Sequence, residues 1–69
     1  MFDKKLFKAQ LIISGKSVSD VAKVLNISES TLYRKINGDS DFFRHEINKL
    51  CDEMGIADPK PIFFAEEVT

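Results

Sequence analysis

Residues 17–38 read SVSDVAKVLNISESTLYRKING, and the fold turns on how this stretch is organised. Ser17 stands three residues ahead of Asp20. That is a capping-box pattern, in which a hydroxyl and a carboxylate satisfy amides left without partners at a helix N-terminus. Val18, Val21, Ala22 and Leu25 then share the inner side of a helix, which ends at Asn26, a residue tolerant of the left-handed conformation. Ser28 caps a second helix running from Glu29 to about Ile36, and Asn37 with Gly38 stops it. Two short helices, each with its own cap and joined by about three or four residues, predict a helix-turn-helix. Ala22 is small where the second helix must cross closely, Ile27 plugs the turn, and Leu32 lies inside the second helix.

Outward from this unit the chain continues to read as helix. Asp3 caps a first helix reaching about Ser14, with Gly15 as its stop. Phe2, Leu6, Ala9 and Ile13 recur at helical spacing and predict its inner face. A fourth helix spans about Phe43 to Met54, with Phe43, Ile47, Leu50, Cys51 and Met54 on one stripe and Gly55 at its end. Asp58 and Pro59 start a short last segment through Ile62, Phe63 and Phe64, kept short by Pro61. The tail from residue 65 to 69 is acidic and reads as frayed. No alternating strand pattern occurs. The expected fold is all-α: one domain over residues 1–69, a compact bundle of about five short helices with its helix-turn-helix at 17–37.

Composition narrows the function. A chain of 69 residues needs a dense core, a staple or a partner subunit, and its 43% hydrophobic content with six Phe can supply a core. One Cys excludes an internal disulfide, and one His beside it cannot build a structural zinc site, so no metal or cofactor is expected. Nothing pairs a nucleophile with a base, sets two catalytic acids together or cradles a phosphate in a Gly loop, so the chain does not read as an enzyme. His45 reads as a surface residue and Cys51 as a core thiol. The free thiol, with no export signal and no membrane-length apolar run, points to the cytoplasm.

Net charge is −1, but it is unevenly placed. Residues 1–38 carry seven basic side chains against three acidic ones, a net of +4; residues 39–69 carry three against eight, a net of −5. Such a split suits a protein that offers one face to phosphates and turns the other away.

At about 100° per residue, the second helix of the unit places Leu32 and Ile36 on one stripe, with Ser30 and Arg34 almost opposite. A major groove about 12 Å wide admits such a helix, whose outward side chains near the N-terminus read base edges. Arg34 is the leading base-reading candidate, since its fork matches guanine O6 and N7. Ser30 can donate or accept. Glu29 can accept from a cytosine amine or simply favour the helix dipole. Tyr33 can meet sugar, thymine methyl or phosphate, or be a half-buried packing aromatic. Phosphate contacts are expected from Lys16 and Ser17 before the first helix of the unit, from Lys35 on the flank of the second, and from Asn37 and Ser40 after it. Lys16 and Lys35 can equally be solvated lysines.

Residues 17–38, and the run SESTLYRKING above all, resemble the Cro/CI-type (Xre-type) helix-turn-helix of temperate-phage and bacterial repressors. A Phe-containing fourth helix and the closing IFFA extend the likeness over nearly the whole chain. The resemblance implies a five-helix lambda-repressor-like DNA-binding domain, dimeric on a two-fold operator. It places base-reading positions on Glu29, Ser30 and Arg34 with Tyr33 beside them, and a phosphate-binding Asn on Asn37. The chain departs from the pattern in three places. Val18 stands where many members have Gln, which puts that phosphate contact in doubt. Lys35 stands where an aromatic or aliphatic residue is common, with Ile36 taking over the packing. Phe43 stands where Thr or Ser caps helix 4, leaving Ser40 or Asp41 for that task.

The expected partner is double-stranded operator DNA, bound by a homodimer formed through the Phe63/Phe64 region. The alternative is a small phage modulator that binds a partner repressor protein, using the acidic half and spare Phe side chains. A membrane-active peptide is the weakest reading, because the organised caps belong to a folded domain.

Overall fold

The computed structural model describes residues 2–64. Five helices follow in order: α1 (Lys4–Ser14), α2 (Val18–Leu25), α3 (Glu29–Ile36), α4 (Arg44–Met54) and α5 (Lys60–Phe63). No strand occurs among the described residues, and the fold is all-α. The acidic tail expected at 65–69 lies outside the described residues.

The helix starts follow local chemistry. Asp3 caps α1 by accepting from the Leu6 amide at 3.0 Å. Gly15, at φ +71°, closes the other end in the left-handed conformation, and the Lys16 amide reaches back to the Leu11 carbonyl. At α5, Asp58 accepts from the Lys60 amide, and Pro59 stands at the N-cap. A bond from the Asp3 amide to the Ile62 carbonyl (2.6 Å) ties α1 to α5, so the two ends of the described chain meet.

The buried face of α1 is not the one its periodicity predicts. Phe7 and Leu11 point into the core, whereas Leu6, Ala9 and Ile13 are exposed, Ile13 by 75%. The helix carries two apolar rows, and the Phe7 ring removes more apolar surface from water than Ala9 can. Phe7 also joins Phe2, Phe42 and Phe63 in an aromatic cluster with ring centroids 5.0–6.4 Å apart. Gln10 fastens the same side of α1 by donating to the Met54 carbonyl at the end of α4.

Phe63 is therefore a core residue, and the expected Phe63/Phe64 partner surface is reduced to Phe64, which is 55% exposed. Cys51 packs against the core, as its stripe predicts. Desolvation raises its thiol pKa, helped by Asp52 and Asp58.

The start of α4 also differs from expectation. Neither Ser40 nor Asp41 caps it: Phe43 is the N-cap residue, and Glu46 reaches back one turn to accept its amide at 2.8 Å. Phe43 itself lies at the surface, stacked on His45.

Candidate nucleic-acid interface

The α2–α3 unit is fixed by the residues that announced it. Ser17 accepts from the Asp20 amide at 3.1 Å and gives its own amide to the Asp20 carboxylate at 2.9 Å, completing the capping box. The Ser17 amide first, and then its hydroxyl, hold the Asp20 carboxyl below its ordinary pKa of 3.8. Asn26 takes the left-handed conformation at φ +56°, reversing the chain so that the Ile27 amide bonds the Ala22 carbonyl. Ala22, within α2, is buried. Ser28 then accepts from the Thr31 amide and donates to the Thr31 hydroxyl, setting the start of α3.

On α3, Leu32 and Ile36 are buried. Glu29, Ser30 and Arg34 are exposed, and Tyr33 is 49% exposed, so its packing is at most partial. Arg34 enters no salt bridge with any described residue. The side opposite the aliphatic stripe is thus open, with a guanidinium near its centre.

The phosphate candidates separate into two places and one exclusion. Lys16 and Ser17 precede α2, where Lys16 is half-buried and Ser17 is exposed with its hydroxyl oxygen engaged in the cap. Asn37 and Ser40, both exposed, follow α3 and line a groove of about 730 Å³ with Lys4, Gly38 and several apolar side chains. No hydrogen bond among the described residues joins these two groups.

Lys35 is the exclusion. Its side chain is only 4% exposed, and its ammonium lies 3.1 Å from Glu46 Oε1 and donates to the Asp41 carbonyl at 2.9 Å. A lysine held this way cannot reach a phosphate, and the expectation that it would is corrected. The physical reason is its position three residues after Leu32, on the buried side of α3.

One candidate was missed in the sequence. Lys4, at the start of α1, donates from Nζ to Asn37 Oδ1 at 2.9 Å, so an exposed ammonium stands at the C-terminal end of α3. Thirty-three residues separate the two, and only the basic character of the first half signalled it.

Among the described residues no His, Cys, Asp and Glu cluster could hold a metal ion, and no helix is long and apolar enough to cross a membrane. No curated protein and no solved structure matches the chain. A family model described as the helix-turn-helix domain of resolvase matches residues 9–39, from within α1 to just beyond α3. The match is to the resolvase type, not to the Cro/CI-type that SESTLYRKING resembles; taken with the geometry above, it supports a helix-turn-helix DNA-binding domain in this chain.

Proposed function

We propose that the chain is a sequence-specific transcriptional regulator of the Cro or repressor kind, acting in the cytoplasm on duplex DNA in a phage genetic switch. It works by binding and not by catalysis. The observation that carries this reading is the open face of α3, where Ser30 and Arg34 stand opposite buried Leu32 and Ile36. In this role Arg34 reads guanine, Ser30, Glu29 and Tyr33 contact neighbouring bases or sugar, and Asn37, Ser40, Ser17 and Lys16 hold the backbone with Lys4. Two copies on a two-fold operator set their reading helices about 34 Å apart.

The test is selection of a preferred duplex from a random pool, followed by titration of that duplex and of random duplex. Arg34→Ala should weaken the selected duplex by about 1–3 kcal/mol, roughly 5- to 150-fold, and leave random duplex nearly unchanged. Lys4→Ala should weaken both alike and lower the salt slope by about 1. Equal losses on both duplexes for Arg34→Ala would remove α3 as the reading element.

Exposed Phe43 and Phe64, in the acidic half, favour a second reading, a modulator that binds a repressor protein. That reading holds if the pure chain shifts no duplex at low salt yet shifts a repressor–operator complex.

A further inference from the structure

Lys35 and Glu46 form a buried ion pair in a domain whose core is otherwise apolar. Such a pair is weak as a source of stability, because the desolvation of both charges offsets their attraction and apolar residues of similar volume serve as well. What the pair supplies is direction. The Lys35 ammonium is bonded to Glu46 on α4 and to the carbonyl of Asp41 in the connecting segment, and it lies 4.3 Å from the centroid of the Phe43 ring. Glu46 Oε1 in turn accepts the Phe43 amide.

The segment from Asn37 to Phe43 has no regular structure, yet it carries Asn37 and Ser40. Its first residues are tied to α3 by backbone bonds from the Gly38 amide to the Lys35 carbonyl and from the Asp39 amide to the Arg34 carbonyl. Its far part is held through Lys35 and Glu46.

We propose that Lys35 and Glu46 are positioning residues for DNA recognition: one buried ammonium ties α3 to α4 and sets the course of residues 37–43, and so places the groups that meet the backbone. This rests on the DNA-reading role of α3. Neither residue touches the nucleic acid.

The double variant Lys35→Met with Glu46→Gln tests it. The introduced glutamine keeps an acceptor for the Phe43 amide, the introduced methionine keeps the volume, and both charges go. The duplex selected by the unmodified chain and a random duplex are the probes, read alongside thermal unfolding and the amide resonances of residues 37–43. The variant should unfold cooperatively, shift those resonances and lose at least 10-fold in preference for the selected duplex. Its salt slope should be unchanged, because no phosphate-facing charge has been removed.

A folded variant with unaltered preference overturns the proposal. So does a salt slope lower by about 0.9, which would make Lys35 a phosphate contact. If the variant does not fold, Lys35→Met with Glu46→Leu is judged by the same criteria; failure of both makes the pair a folding requirement and ends the positioning role. An unmodified chain that selects no duplex sinks the DNA-reading role itself, and with it this proposal, before any variant is made.

Discussion

Ser17 and Asp20 exchange two hydrogen bonds across the first turn of α2, and the carboxylate form of Asp20 is the form that accepts the Ser17 amide. Its folded pKa therefore lies below the ordinary 3.8. For a depressed carboxyl, the stabilisation is fully present above the unfolded pKa and disappears as pH falls through the folded one. Urea unfolding measured from neutral pH down through the acid range should show the chain losing stability below about pH 4 more steeply than an Asp20→Asn variant. Parallel profiles would mean that the box carries no net charge-linked stability. Caps like this were legible because they are local: Ser17, Ser28, Asp3 and the left-handed Asn26 each act within a few residues of themselves. Lys35 was not legible in the same way. Its register three residues after Leu32 already put it on the buried side, but a lysine there is stable only with a partner, and that partner lies on another helix.

At the scale of elements, boundaries were well marked and faces less so. The ends of α2 and α3 fall where Ser17, Asn26, Ser28 and Asn37 put them. The roll of α1 did not follow, because its two apolar rows were both plausible by spacing and only the gathering of four Phe rings chose Phe7 and Leu11. The start of α4 was misread for a related reason: its cap comes from inside the helix, from Glu46, and not from the polar residues ahead of it. That carboxylate has two partners, the Phe43 amide and the Lys35 ammonium. Glu46→Ala strips both at once and leaves a buried cation without its counter-charge, so it should destabilise the fold by about 3–5 kcal/mol. Lys49→Ala, at an exposed position on the same helix, should stay within about 0.5 kcal/mol. Urea unfolding makes the comparison: Glu46→Ala should keep little or no cooperative transition, since its loss is about as large as a core of this size supplies. A midpoint similar to that of Lys49→Ala would show that Glu46 is not a structural keystone of α4.

For the molecule as a whole, the abundance of Phe promised a core without saying which rings would build it. Phe2, Phe7, Phe42 and Phe63 come from the N-terminus, α1, the segment before α4 and α5, and their meeting closes the bundle. Sequence spacing cannot see such a meeting, since every pair but one is brought together by the tertiary fold. Adjacent Phe63 and Phe64 give a clean contrast within it, one buried in the cluster and the other more than half exposed. Truncating a buried Phe to Ala costs about 3–5 kcal/mol. A core of this size rarely supplies more than about the same amount. Phe63→Ala should therefore be largely unfolded at 25 °C by circular dichroism and give no cooperative thermal transition. Phe64→Ala should fold with a midpoint within a few degrees of the unmodified chain. If that folded Phe64→Ala variant also bound the selected duplex with unchanged affinity, Phe64 would take no part in dimerisation on DNA. A loss that grows with dilution would place the ring in the contact between copies, because only a concentration-dependent assembly responds to dilution in that way.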